Sequence, residues 1–479
     1  MDKFRPKYHF TPERNWMNDP NGMVFFNGEY HLFYQHHPHS ALPGPMHWGH
    51  AISSDMVNWE HCPIALYPDE NGVIFSGSAV VDWEDTSGFF GGKPGLVAIF
   101  THHDRMPGMD RVRERQSLAY SLDSGRSWIK YSDNPVLESD RFVDFRDPKV
   151  FWHSDSKRWV MILASGQSVC LYHSDNLKEW TFSSEFGHGN GSHDGVWECP
   201  DLFALPVDGD PSRMKWVMIV SIGRPEQGTM TQYFIGEFDG HSFVNDNPAD
   251  VVLRLDHGSD NYAGVSWSDV PEEDGRRNYI AWMSNGKYAI VTPTDEWRSA
   301  MTVPRTLTLE SRHNQIRLIQ NPVRELEQIR ISILSLEETS IEEAQLHIAG
   351  LELDSFEMIA EFVPGMTKAL TIKVRASDSQ QTVIGYEANQ NEIYVDRTRS
   401  GIIDFHKGFA GIHAVKLATA TESIKLHIFV DRSSVEVFVN DGIAVITDLI
   451  FPEPGATGLE LSASEAGMRL RRFELFKLG

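Results

Sequence analysis

Cysteine is nearly missing from this chain: Cys62, Cys170 and Cys199 are the only three in 479 residues. An odd number with no C-x-x-C pair gives neither a closed disulfide framework nor a thiolate zinc pair, so stability has to come from packing. Long apolar runs are lacking as well. Nothing approaches the roughly 18 consecutive apolar residues of a membrane helix, and the start, Met1 to Pro6, has no apolar h-region. The chain as it stands is expected to be soluble and, by default, cytoplasmic, with secretion the alternative if a leader has been removed. Positive charge is in deficit: 43 basic against 67 acidic side chains leave a formal charge of −24. That field opposes phosphate backbones and anionic lipid, which excludes nucleic acid and membrane surfaces as partners and leaves a neutral ligand indifferent.

Sustained helical periodicity is also scarce. In its place, 37 glycines and 24 prolines punctuate short runs of Val, Ile, Phe, Trp and Tyr, the pattern of an all-β chain. One local unit recurs: Ser54-Asp55 before Trp59, Ser121-Leu122-Asp123 before Trp128, and Ser174-Asp175 before Trp180. An aspartate in a turn binds the amides ahead of it, and the tryptophan packs where the next strand begins. Spacings of 68 and 52 residues between these aspartates suit propeller blades lengthened by insertions. About 300 residues then hold about five blades. The length exceeds what one hydrophobic core sustains, so a second unit is expected. We read residues 1–310 as the propeller, 311–340 as a connector built around the charged stretch Asn321–Arg330, and 341–479 as a second β unit. The last contains the alternating run Val435 to Val439 and the hairpin signal Asn440-Asp441-Gly442.

Three acidic islands carry the chemistry: Trp16-Met17-Asn18-Asp19-Pro20-Asn21-Gly22, Phe145-Arg146-Asp147-Pro148, and Trp197-Glu198-Cys199-Pro200. Each sets one carboxylate beside a proline, whose fixed φ stiffens the local backbone. Singly, each is ordinary turn chemistry. Together they fit hydrolysis of a sugar acetal or ketal, where a retaining mechanism needs a carboxylate nucleophile and a second carboxyl as proton donor, roughly 5 to 5.5 Å apart. A third can hold the sugar hydroxyls.

In this order, with gaps of 128 and 51 positions between the acids, the strings WMNDPNG, FRDP and ECP resemble glycoside hydrolase family 32, which contains invertases, inulinases and levanases. The segments around Gln35, Trp48, Phe75-Ser76, Asp260 to Ala263, Ala281 to Asn285, Ala300 to Arg305 and Ile428 to Phe438 are similar to the family too. The resemblance implies a five-bladed β-propeller followed by a C-terminal β-sandwich. It implies a β-fructofuranoside substrate (levan, inulin or sucrose) and no cofactor. By motif match Asp19 is the nucleophile, Glu198 the acid/base and Asp147 the transition-state stabiliser, while Asn18, Gln35, Trp48, Phe75, Ser76, Arg146, Tyr262 and Trp282 line the sugar pocket. One departure is Gly286, where many fructan-degrading relatives carry a further tryptophan.

Other readings compete. A fructosyltransferase would share the covalent intermediate, and a non-catalytic carbohydrate-binding propeller would share the aromatics. A metal centre at His36, His37 and His39 or at His102 and His103 lacks any H-E-x-x-H helix, so no metal site is expected. The sandwich is assigned to packing or to self-association.

Overall fold

The computed structural model describes residues 2–106, 111–223, 228–312, 315–364, 368–417, 422–465 and 468–479. Strands dominate, and the one α-helix among the described residues is Ile341–Ile348. Up to Pro322 the strands fall into consecutive antiparallel groups. Asn15–Phe26, Glu29–His37, His47–Ser53 and Glu60–Leu66 form the first, and Val73–Asp82, Gly95–Arg105, Val112–Ser121 and Ile129–Lys130 the second. Phe145–His153, Arg158–Ser165, Ser168–Ser174 and Thr181–Phe186 form the third. The remainder make one ten-stranded sheet, in which the run beginning at Val196–Val207 and the run beginning at Tyr262–Ser266 are joined by a Val207 to Leu309 pairing.

The strands Asn15–Phe26, Val73–Asp82, Phe145–His153, Val196–Val207 and Tyr262–Ser266 touch one another in that cyclic order, and the last touches the first. The ring is tied where Asn15 and Trp16 pair in parallel with Trp297 and Arg298. This is the expected propeller arrangement, and the repeated turns lie where expected, each between the third and fourth strands of its group. Trp59, Trp128 and Trp180 each donate the indole N–H to the carbonyl three residues earlier, at 3.0, 3.1 and 2.8 Å. In the third copy the amide-binding side chain is Asn176, not Asp175 as the sequence reading had it, because Asn176 stands four residues before its tryptophan as Asp55 does. A fourth copy carries phenylalanine: Asp239 accepts from the amides of His241 and Ser242, and Phe243 follows.

The expected connector is mostly strand. Gln315–Pro322 completes the propeller side against Arg305–Arg312, and Arg330–Ser340 opens the sandwich, leaving only Val323 and the 3₁₀ turn Arg324–Ile329 between them. The sandwich stacks a six-stranded and a five-stranded sheet over an apolar core that includes Phe356, Ile372, Ile384, Val437 and Phe473.

Charge is buried where the two units meet. The Arg305 guanidinium, fully enclosed, donates to Asp256 and Gln320 on the propeller side and to Glu436 and Thr447 on the sandwich side, at 2.6 to 3.2 Å. His9 is gripped between Asp431 and Glu436 at 2.8 and 2.9 Å, and Arg397 reaches Asp260 at 2.6 Å and the Tyr288 hydroxyl at 2.9 Å. The Asn440-Asp441-Gly442 turn closes the expected hairpin and also docks it. Gly442 has φ +86°, and a Cβ there would lie 1.8 Å from the Gln320 carbonyl oxygen. Removing one member of a buried ion pair leaves its partner uncompensated, so Arg305→Ala is expected to cost about 3–5 kcal/mol. Chemical denaturation measures it; a loss under about 1 kcal/mol would mean that this network does not hold the units together.

Candidate active site

Each of the five ring strands is interrupted by a β-bulge at the same end. Register breaks fall across Asn18 and Asp19, across Phe75 and Ser76, across Asp147 and Pro148, across Cys199 and Pro200, and across Ala263 and Gly264. A bulge leaves residues unpaired and re-aims their side chains. Pro20, Pro148 and Pro200 have no N–H to contribute to a ladder, so they sit at these breaks without losing a bond. Asp147, Cys199 and Ala263 hold φ of +63°, +47° and +55°, the sparsely populated left-handed region for side-chain-bearing residues. Gly22 follows at +56°, where a Cβ would strike Phe33 at 2.4 Å and Trp48 at 2.9 Å.

The breaks bring the three acids together. The Cys199 thiol lies 3.5 Å from Asp19 Oδ2 and 3.5 Å from Asp147 Oδ2, so those carboxylate oxygens are no further apart than twice that distance. Asp147 also accepts from the Cys199 amide at 3.0 Å, and its own amide donates to Thr101 Oγ1 at 3.1 Å. Asp19 accepts from Asn18 at 3.1 Å and from Ser76 at 3.2 Å. Glu198, one residue before the thiol, takes Arg146 Nη2 on Oε1 at 2.8 Å and the Tyr262 hydroxyl on Oε2. Ser76, Asp147, Cys199, Tyr262 and Trp282 are buried, while Asn18, Asp19, Phe75, Arg146 and Glu198 keep partial exposure. Asp147 is thus enclosed, while Asp19 and Glu198 reach solvent.

Other predicted residues take different places. Gln35 is buried and donates to Asn21 at 2.8 Å. Trp282 lies 6.3 Å, centroid to centroid, from both Trp16 and Tyr262, and its buried indole N–H has no partner among the described residues, a donor left for a ligand. Phe75 stacks on His103 at 4.2 Å. Trp48 does not line the cavity: it is completely buried, packs on Phe33 and Phe100, and donates its N–H to the Phe75 carbonyl at 3.0 Å. Its contribution is to seat the Phe75-Ser76 bulge. At Gly286 a Cβ would meet, among the described residues, only the Thr229 methyl, at 3.4 Å.

Sequence reasoning missed the support behind Arg146. Glu114 accepts from Arg146 Nη1 at 3.1 Å and contacts His103 Nδ1 at 3.3 Å, and Asp144 takes the same Arg146 nitrogen at 2.9 Å. Glu114 sits in the charged run Arg111 to Arg115, which carries no motif. Thr101 and Cys199 were also passed over, although Cys199 lies inside the ECP string. Of the clustered histidines, His36 meets the Trp16 carbonyl at 2.7 Å and His102 the Ser117 hydroxyl at 2.8 Å. No group of three metal-ligating side chains is found among the described residues.

Electrostatics follow from burial and crowding. Asp19 is pushed up to about 6, chiefly by burial, with the Asn18 hydrogen bond opposing and the Glu198 charge adding. Asp147 is pushed up to about 7 by burial, Arg146 pulling it back and Glu198 and Asp19 pushing further. Burial, then the charges of Asp147 and Asp19, hold the Cys199 thiol well above its ordinary range, so it stays a neutral donor between two acids. Arg146 keeps its proton: burial works against the charge, and Glu198, Asp147 and Glu114 outweigh it.

A propeller whose ring strands deliver three carboxylates and a sheath of indoles, amides and hydroxyls to one end is a glycosidase scaffold. The description "Glycosyl hydrolases family 32 N-terminal domain" matches residues 9–322, and "Glycosyl hydrolases family 32 C terminal" matches residues 325–477. The chain belongs to glycosyl hydrolase family 32. It is 51% identical over 484 residues to a levanase of Bacillus subtilis (strain 168), covering 100% of this chain and 71% of that protein. It is 39% identical over 497 residues to the extracellular exo-inulinase inuE of Aspergillus niger, covering 96% and 91%. The crystal structure of the exo-inulinase from Aspergillus awamori is similar with a TM-score of 0.88 and 36% identity, covering 99% of this chain and 98% of that one. No helix among the described residues is long and apolar enough to cross a membrane.

A carboxyl with a raised pKa is neutral below it, and a neutral acid neither attacks carbon nor stabilises positive charge. The rate kcat/KM is therefore expected to fall as pH drops through about 7 to about 6, the two acids titrating as a coupled pair. A profile flat down to pH 4.5, measured on a soluble substrate, would contradict these environments (an ordinary aspartate titrates at about 3.9).

Proposed function

We propose that this protein is a retaining β-fructosidase that releases fructose from levan, inulin or sucrose. The reading is carried by the convergence of Asp19 and Asp147 on one thiol beside Glu198. Asp19 attacks C2 of the fructosyl unit from below the ring. Glu198 protonates the departing oxygen; a fructosyl ester forms on Asp19, and the Glu198 carboxylate then deprotonates the water that cleaves it. C2 bears no hydrogen and gains oxocarbenium character as the bond breaks, so the charge of Asp147 and its hydrogen bonds to the sugar strengthen as the transition state forms.

Arg146 and Tyr262 hold the two oxygens of Glu198 in one orientation. Asn18, Ser76 and the free Trp282 N–H offer the polar rim for sugar hydroxyls, and Phe75 covers a C–H face. No cofactor enters this scheme. The five-blade count rests on the closed order of the five ring strands. We assign the propeller unit up to Pro322 and the sandwich from Arg330. Action outside the cell is part of this proposal, supported by the extracellular exo-inulinases that the chain resembles and by the size of polymeric fructan, which does not cross a membrane. Self-association through the sandwich stays a proposal, supported by exposed Ile331, Leu346 and Ile412.

Product chromatography on sucrose, inulin and levan tests the reading: free fructose is expected from the wild type. Asp19→Ala and Glu198→Ala are each expected to lower kcat roughly 10³-fold or more with the fold intact. Near-native turnover in either variant, or transfer products in place of fructose, would overturn it.

A further inference from the structure

The opposite end of the propeller axis carries a second cavity, of about 440 Å³. The same ring strands reach it: Ser76 stands at the acid end and Val81 in this cavity, as do Asp147 and Trp152, and Glu198 and Phe203. Five residues of strand place it about 16 Å from the acids. Lys149 lies between the two ends, lining both this cavity and a void of about 10 Å³ under Asp147 and Cys199, with its ammonium tied to the Ser266 carbonyl and 3.8 Å from Asp201. That void is far too small for a sugar ring, so Lys149 stands between the far cavity and the acid site.

Its walls are built for a ring with C–H faces. Trp83 and Trp152 stand at 54% and 40% exposure, which is costly for indoles unless something covers them. Trp83 is fixed in place by its N–H donating to Asp269 at 2.8 Å, and Trp152 packs edge-on against Trp159 at 5.2 Å. Donors are left over. The indole N–H groups of Trp152 and Trp216 make no hydrogen bond among the described residues. Arg277, laid over Phe203 at 5.0 Å, uses one nitrogen on the Trp267 carbonyl and no other among the described residues.

Charge selects against anions: the two cations lining the cavity, Lys149 and Arg277, face three carboxylates, Asp82, Glu84 and Asp269. An occupant has to be neutral, rich in acceptors and able to lie on an indole face, which describes a saccharide. We infer that this far-end cavity is a second, non-catalytic saccharide-binding site that holds polymeric substrate to the enzyme. The site goes beyond the activity proposed above; that the polysaccharide it holds is the enzyme's substrate, and the choice of fructan as probe, rest on that reading.

The experiment is affinity electrophoresis of the full chain through gels containing levan or inulin. An Asp19→Ala parent is compared with the same protein carrying Trp83→Ala and Trp152→Ala. The double variant is expected to bind the gel polysaccharide about 3- to 10-fold more weakly than the parent. Trp152→Phe, which keeps a ring face, is expected to retain most of the retardation and so separates stacking from misfolding. With Asp19 intact, the tryptophan variants keep wild-type kcat/KM on sucrose and gain a higher KM on levan. Retardation equal to that of the parent, or tryptophan-dependent dimerisation in sedimentation with retardation unchanged, overturns the inference. Failure of the wild type to hydrolyse sucrose or fructan would sink the proposed activity and leave the retardation test standing.

Discussion

Everything at the acid end depends on five β-bulges at one level of the ring. An unbroken ladder would send alternate side chains to alternate faces and keep Asp19, Asp147 and Glu198 in separate sheets' packing. The breaks free two residues per strand, and with left-handed backbone at Asp147 and Cys199 the thiol comes within 3.5 Å of both aspartates. Strain of this kind costs of order 1–3 kcal/mol per residue and persists only where surrounding structure enforces it. Here the enforcement is the mutual closure of the ring and the Thr101, Cys199 and Ser76 hydrogen bonds that fasten the acids. Crowding three carboxyls into a buried floor then raises Asp19 and Asp147 and keeps Arg146 cationic, so one geometric device sets both position and charge.

The sandwich contributes to that device from a distance. Asp260, paired with Arg397 of the sandwich and with Tyr288, lies two residues before Tyr262, whose hydroxyl holds Glu198. Arg305, Glu436 and Asp431 lie in or beside segments similar to the family, and they are buried at the junction of the two units. Similarity to a family over the whole chain therefore mixes residues that handle the sugar with residues that hold the scaffold, and only burial and partners separate them.

How much was legible follows from what each residue does locally. Asp19, Asp147 and Glu198 were readable because each is coupled to a proline that a bulge accommodates, a constraint written in adjacent letters. Glu114 was not, because its partner Arg146 is 32 residues away and nothing in its own neighbourhood marks it. Trp48 was assigned to the pocket by its motif match alone, and a motif match does not tell a residue that touches the ligand from one packed directly behind it. The connector was drawn too long for a related reason. Arg330–Ser340 is the edge of its sheet and only partly buried, so its apolar residues Ile331, Ile333, Leu334 and Leu336 follow directly on the charged stretch before them with no turn signal to mark where the strand begins. The propeller was legible from its Asp-to-Trp turns, and the fourth copy was hidden because Phe243 replaces the tryptophan.

The central claim is that Asp19 forms the covalent bond to the sugar. It is tested most directly by rapid acid quench of a Glu198→Gln variant mixed with a fructoside bearing a good leaving group, followed by peptide mass spectrometry. The account predicts one added fructosyl unit on the peptide containing Asp19, and on no other. A fructosyl unit on a peptide carrying Asp147, or turnover of that substrate with no ester detectable on any peptide, would contradict it.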